Sequence, residues 1–154
     1  TNFQQYFKLV EYFSEFTKER MGLAMGVYNL IQIFDEKYYR NLSGGILEAF
    51  GKLFYRDLKV YMYPYHDQET GAYINSENLK VPPRMKELYK FFNNNGKLVN
   101  IDDFDAEILD IFSRTVLKMI VKGDDGWEHM LPKGIAETIK AKKLFGYSKS
   151  KARR

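Results

Sequence analysis

Short apolar segments alternate with amphipathic helical segments along this chain, and this alternation limits the folds that it can adopt more than any other feature. Residues 2–17 repeat apolar side chains at spacings of three and four, which predicts a helix. Residues 21–25 form a short apolar run, which predicts a strand buried on both faces. The other predicted elements are, in order, helices at 28–34 and 46–55, a strand at 58–63, a helix that begins at Pro82-Pro83, a strand at 97–101, and helices at 106–121 and 132–143.

This element order predicts an α/β fold. Strands that are separated by helices favour a parallel sheet, because each parallel connection needs a long crossover. We expect a partial Rossmann-like sheet of about three short strands, in three layers with helices on both faces. Three strands are few for that architecture, so we expect residues 1–147 to be a single α/β domain that is a fragment or the C-terminal half of a larger fold.

Basic residues are concentrated at the end of the chain. Residues 140–154 contain seven lysines and arginines and no acidic residue, and the rest of the chain holds 17 basic and 20 acidic residues. The net charge of +4 therefore comes from the terminus. We interpret residues 148–154 as a basic tail, which is either a solvated terminus or a contact for phosphate or nucleic acid. A solvated terminus is the simpler interpretation, and nucleic acid is not the favoured partner.

The residue types that are missing exclude several kinds of site. The chain has no cysteine, so it forms no disulfide, thiolate metal site or catalytic thiol, which is typical of a cytoplasmic protein. No apolar run approaches 18 residues, so we expect no membrane partner. The two histidines, His66 and His129, lie far apart in the sequence, and neither has a partner at the spacing of zinc ligands.

The most specific local pattern lies in residues 112–147. Ser113, Thr115 and Lys118 place two hydroxyls and a cation close together, and the N-terminus of a helix with such residues can bind phosphate. Leu131-Pro132 then begins the last helix, and Leu144-Phe145 ends it. This region resembles the C-terminal region of the nicotinamide/nicotinate mononucleotide adenylyltransferases, where a Ser-x-Thr element contacts the triphosphate of ATP. The resemblance implies that Ser113, Thr115 and Lys118 bind phosphate.

The resemblance extends towards the N-terminus on weaker matches. Gly26-Val27-Tyr28 lies where that family has a Gly-x-Asp motif, and Tyr39-Arg40 lies where it often has a tryptophan that stacks on the pyridine ring, followed by a basic residue. The resemblance implies nucleotide-binding roles for Gly26, Tyr28, Tyr39 and Arg40, with Tyr39 stacking on the ring. It also implies ATP with Mg²⁺ as substrate and a place in NAD biosynthesis.

Two departures from the family pattern limit the expected activity. Tyr28 replaces the aspartate, and the His-x-x-His signature that stabilises the reacting phosphate is missing from this chain. The sequence therefore identifies no catalytic residues. We expect that this chain forms a complete catalytic site only together with an N-terminal half or a second copy of itself. The alternative is a non-catalytic interaction or regulatory module.

Several of these residues also have simpler interpretations. A helix that continues through 106–121 would bury Ser113 and Thr115, and Tyr39 is equally compatible with ordinary packing. Tyrosines 61, 63, 65 and 73 are better explained by strand and loop packing than by base stacking. His66-Asp67 reads as a loop pair. Acidic side chains follow the last strand, but helix capping explains them better than a metal site does; they are Asp102, Asp103, Asp105 and Glu107.

Overall fold

Three parallel strands form the central sheet, which makes the fold α/β as the alternation predicts. Strands β1 (Gly22–Gly26), β2 (Lys59–Tyr63) and β5 (Leu98–Asn100) lie in the order β1-β2-β5. Leu23 of β1 pairs with Val60 of β2, which in turn pairs with Leu98 of β5. Two further strands, β3 (Tyr65–His66) and β4 (Tyr73–Ile74), form a small antiparallel hairpin after β2.

The computed structural model describes residues 5–148 and divides the chain into two compact units, Thr1–Phe104 and Asp105–Arg154. The sheet belongs to the first unit, and the helices of the second unit have their own small core. The expectation of a single domain over residues 1–147 stays a prediction. The basic tail lies outside the described residues, apart from Ser148. The helices of the first unit are α1 (Tyr6–Ser14), α2 (Val27–Ile33), α3 (Gly45–Leu53) and α4 (Lys86–Asn94).

The strands of the first unit are buried on one face. Val60 and Met62 of β2 are fully buried, and Met25 of β1 lies beside them. On the opposite face Ala24 and Tyr61 are exposed, with Tyr61 39% exposed, so the expectation of a β1 strand buried on both faces is wrong. The apolar run gave a wrong prediction because the residues of β1 on the exposed face are glycine and alanine, whose small side chains expose little apolar surface to solvent.

Aromatic rings fill the space between the buried face of the sheet and the helices. Phe50 of α3 is the centre of this packing, with ring contacts to Phe34, Phe92 and Phe54 at centroid distances of 4.9, 4.9 and 5.6 Å. Tyr89 of α4 contacts Phe34 at 5.2 Å. Aromatic pairs at these distances add to the free energy gained from burial alone, by about 0.5–1.5 kcal/mol each.

The second unit consists of short helices. The main ones are α5 (Ser113–Lys122) and α6 (Ile135–Lys142), and 3₁₀ turns lie at 106–108, 127–130 and 144–146. Helix α5 ends at Gly123, whose φ of 77° is a conformation that glycine adopts without strain. The described residues that are buried in this unit are Leu109, Val116, Ile120, Trp127, Ala136 and Ile139, and all but Leu109 form one cluster. Among the residues that the structure describes, no helix is long and apolar enough to cross a bilayer.

Candidate functional site

The carboxyl ends of the three parallel strands meet at one edge of the sheet. Gly26 ends β1 beside Tyr63, which ends β2, and Asn100 at the end of β5 pairs with Met62. In open α/β sheets ligands bind outside this edge, where loops of variable sequence follow each strand. We therefore take this carboxyl edge, with the residues that follow each of its three strands, as the candidate functional site.

Gly26 connects β1 directly to helix α2. Its backbone is extended, with φ −81° and ψ 166°. Any residue can adopt this conformation, so the backbone angles do not require a glycine here. A Cβ atom at this position would meet nothing within 4 Å, which means that the backbone at the start of α2 borders open space. A ligand can thus approach the Gly26 backbone closely, which is the role that glycine has at many phosphate-binding turns.

Tyr28 occupies the position of the expected aspartate, and its side chain is paired with Tyr65. The Tyr28 ring is 57% exposed and lies edge-on to Tyr65, with centroids 5.2 Å apart. A hydrogen bond between the two hydroxyls raises the pKa of Tyr65 to about 12. The Tyr65 phenol is therefore neutral at pH 7, so it offers a ligand a hydroxyl group, whereas a carboxylate would offer a negative charge.

A second group of aromatic residues lies beside the same edge and was not predicted as a site. Phe104, which follows β5, contacts Tyr63 at a centroid distance of 6.2 Å and Tyr73 at 5.7 Å. Tyr73 in turn lies 5.2 Å from the ring of His66. The packing interpretation of Tyr63 and Tyr73 agrees with these contacts. The sequence shows many aromatic residues around the end of β2 and after it, which is a signal for this group. It does not show that these rings lie together, because their contacts join segments that are distant in the sequence.

Asp67 holds the turn of the hairpin. Its carboxylate accepts hydrogen bonds from the Thr70 hydroxyl at 2.8 Å and from the Glu69 N–H at 3.1 Å. The hydrogen bond from Thr70 is the main reason that the pKa of Asp67 lies below its usual value. Asp67 therefore agrees with the interpretation of His66-Asp67 as a loop pair, whereas His66 lies in strand β3, so for His66 the interpretation is wrong.

Tyr39 lies in the core of the first unit rather than on a surface. It is 5% exposed, and its hydroxyl donates a hydrogen bond to the Ile33 carbonyl oxygen at 2.8 Å. Its ring contacts Phe7 and Phe50. These contacts favour ordinary packing over stacking on a ligand. Arg40, the next residue, is exposed to solvent.

Ser113 begins helix α5, so the hydroxyl groups are not buried inside a longer helix. A 3₁₀ turn covers Ala106–Ile108, and α5 starts only after a break, where the Phe112 carbonyl oxygen accepts hydrogen bonds from the N–H groups of Thr115 and Val116. The continuous helix expected over 106–121 is therefore wrong. Ser113, Thr115 and Lys118 are all exposed. Their role in phosphate binding stays a prediction.

The three predicted phosphate ligands do not share one face of α5. Ser113 and Arg114 line a mainly apolar groove of about 430 Å³, together with Leu117, Ile120 and Phe145. Thr115 and Lys118 are one turn apart on another side of the helix and do not line this groove. An apolar groove does not suit a triphosphate. The pair Thr115 and Lys118 is therefore the better candidate for contact with a phosphate.

The acidic residues after β5 do not form a metal site in the part of the chain that is described. Asp105 accepts a hydrogen bond from the Glu107 N–H at 2.9 Å and so caps the 3₁₀ turn, in agreement with the capping interpretation. Among residues 5–148 there is no group of three or more histidine, aspartate or glutamate residues that could hold a metal ion. Mg²⁺ in the implied reaction would arrive with ATP as part of the substrate.

His66 belongs to the first unit and His129 to the second.

Comparisons with known proteins found no match for this chain among family models, curated proteins or solved structures.

Proposed function

We propose that the chain is the nucleotide-binding part of an adenylyltransferase-like protein of NAD biosynthesis, and that it is not catalytically complete alone. The absence of cysteine makes the cytoplasm the compartment that we expect. Under this proposal the carboxyl edge binds the mononucleotide and helix α5 contributes to binding ATP.

The observation that carries the proposal is the geometry of the carboxyl edge. A parallel sheet ends beside open space at Gly26, and the exposed Tyr28 presents its ring and hydroxyl next to that space. Aromatic rings with hydroxyl groups suit a nucleoside, because the ring can stack on a base and the hydroxyl can form a hydrogen bond with the ribose. This edge is also the position at which open α/β sheets usually bind nucleotides.

Helix α5 supports the second half of the proposal. Thr115 lies in its first turn and Lys118 one turn later, both exposed, and no side chain caps the helix. Backbone N–H groups at the start of a helix favour an anion, and a lysine adds a point charge for phosphate.

The implied reaction is in-line transfer of AMP from ATP to the phosphate of the mononucleotide. Such transfer depends on positioning and on neutralising charge, rather than on a strong base. Each unit of this chain would bind one of the two substrates. We expect no NAD formation by the isolated 154-residue chain, because the His-x-x-His signature is missing from it.

Titration calorimetry with Mg²⁺-ATP tests the phosphate contact. We expect Lys118→Ala to weaken binding by roughly tenfold, which corresponds to about 1.4 kcal/mol and lies near the range for a hydrogen bond to a charged group. Lys122→Ala, an exposed lysine at the end of the same helix, is the matched control and should change the dissociation constant less than twofold. Equal effects of both substitutions, or no ATP binding at all, would contradict the assignment.

The replacement of the family's aspartate favours a second candidate, a non-catalytic interaction module. Tyr28 is hydrogen-bonded to Tyr65, so its side chain has a structural partner that an aspartate at this position would not reproduce. A chain that binds neither ATP nor mononucleotide, while remaining folded, would support this alternative over the nucleotide-binding proposal.

A further inference from the structure

A groove of about 540 Å³ lies on the first unit between residues 76–83 and helix α4, and we call it the α4 groove. This volume is within the range of about 300–1,000 Å³ that is typical of ligand sites. Its apolar lining includes Tyr89, which is buried, and Leu79 and Val81, which are half-buried. None of the lining residues belongs to the carboxyl edge or to helix α5.

Positive charge predominates around the α4 groove. Lys80, Lys86 and Lys90 line it, against one acidic residue, Glu77. Lys90 forms an ion pair with Glu87, which lies outside the lining, at 3.0 Å. Within the part of the chain that the structure describes, neither Lys80 nor Lys86 forms an ion pair. A ligand that fits this groove therefore carries negative charge at its edges.

Hydrogen bonds fix one wall of the groove in place. The Ser76 carbonyl oxygen accepts hydrogen bonds from the Tyr89 hydroxyl at 2.7 Å and from the Asn93 side chain at 3.3 Å. The Ser76 N–H donates to the Asn100 side chain at 2.9 Å. The groove is thus formed before a ligand binds, which reduces the entropy lost on binding.

A short segment beside the groove has main-chain N–H and C=O groups that form no hydrogen bond within the described residues. Among residues 5–148, no hydrogen bond is made by the main chain of Lys80 or Val81. Val81 precedes Pro82, and a residue before proline favours an extended backbone. An extended segment with unpaired N–H and C=O groups can bind a second extended peptide through main-chain hydrogen bonds.

We propose that the α4 groove binds an extended acidic peptide segment of a partner protein that carries one apolar side chain. The apolar side chain packs against Leu79, Val81 and Tyr89, and acidic side chains on either side of it meet Lys80 and Lys86. The peptide backbone pairs with the main chain of residues 80–81.

Fluorescence polarisation tests this site on the full 154-residue chain. The probe is a fluorescein-labelled peptide of six acidic residues with one central leucine. We expect binding that weakens as salt is raised. The double substitution Lys80→Gln with Lys86→Gln should weaken it about tenfold, because two rim charges are removed. Lys8→Gln with Lys18→Gln removes the same charge from exposed positions outside the groove and should change the affinity less than twofold.

Two further measurements separate the site from general charge attraction and from nucleotide binding. A probe with serine in place of the leucine should bind at least fivefold more weakly, since it lacks the apolar anchor. Saturating Mg²⁺-ATP should leave peptide binding unchanged. The proposal is overturned if the serine probe binds equally well, if both double variants lose binding alike, or if ATP displaces the peptide. Thermal unfolding of each variant verifies that it is folded. The results with the serine probe and with the two double variants do not depend on whether the chain binds nucleotide.

Discussion

The described part of the first unit buries nineteen apolar residues in one cluster, whereas that of the second unit buries six, five of them in one cluster. The first cluster is dense in aromatic rings and covers one face of a sheet. In the second unit Leu117, Ile135 and Phe145 remain 44%, 44% and 60% exposed around an apolar groove. Small cores have little stability in reserve. The difference indicates that the carboxyl edge belongs to the more stable unit. The exposed residues of α5 belong to the less stable unit.

Phe50→Ala should have the largest effect on stability. Phe50 is 2% exposed and contacts four other aromatic rings, so its removal leaves a cavity at the centre of the first core. We expect the free energy of unfolding to fall by about 3–5 kcal/mol, measured by urea denaturation. Phe91→Ala, which removes a 58% exposed ring from helix α4, should cost less than about 1 kcal/mol. Similar losses for both variants would mean that the aromatic cluster is not a core.

Ile120→Ala probes the smaller core directly. Ile120 is 3% exposed and packs in the same cluster as Trp127, the only tryptophan of the chain. We expect a loss of about 2–4 kcal/mol, followed through the fluorescence of Trp127. With so few buried residues, the variant should lose the native fluorescence at low denaturant. Leu117→Ala, at an exposed position of α5, is the control. An unchanged Trp127 signal in the Ile120 variant would contradict a core in this unit.

Tyr39→Phe should have the smallest effect, about 1 kcal/mol, because it removes one buried hydrogen bond. Burial is the main cause that raises the pKa of Tyr39 to about 12. The neutral phenol is therefore favoured in the folded state. Its stabilising effect is complete below pH 10 and is lost as the pH rises from 10 through about 12.

The pH dependence of unfolding isolates this contribution. Urea denaturation between pH 8 and 12 should show the wild type losing its advantage over Tyr39→Phe above pH 10 and becoming less stable than the variant near pH 12, because a rise of the pKa from 10 to about 12 outweighs one hydrogen bond. Tyr55→Phe, at a 57% exposed position, should follow the wild type throughout. A constant difference between wild type and Tyr39→Phe at every pH would show that this phenol does not titrate with folding.

The sheet could be predicted from sequence because its signal is local. The strands expected at 21–25, 58–63 and 97–101 are observed at Gly22–Gly26, Lys59–Tyr63 and Leu98–Asn100. Each has several apolar residues between turn-forming ones, which is the pattern that short buried strands produce. The hairpin of β3 and β4 was expected as a loop, since strands of two residues are too short to show a period.

The beginning of α5 and the Tyr28–Tyr65 pair could not be predicted for a different reason. Apolar residues continue at helical spacing from Ile108 to Ile120, and no proline or glycine lies in that stretch to indicate the break before Ser113. Tyr28 and Tyr65 lie on different elements, so their contact depends on the register of β1 and β2. The burial of Tyr39 likewise follows from α1 and α3 packing around it.

Binding of nicotinate mononucleotide at the carboxyl edge can be measured by titrating the isotopically labelled chain and following its amide signals by NMR. The carboxyl edge is expected to bind the ligand, so the amide signals of Gly26, Tyr28 and Tyr65 should shift in a saturable way. Tyr28→Ala should weaken the binding about tenfold, by removing the exposed ring from the site. Saturable shifts confined to other surfaces, or no shifts at these three residues, would contradict the assignment of the carboxyl edge as the nucleotide site.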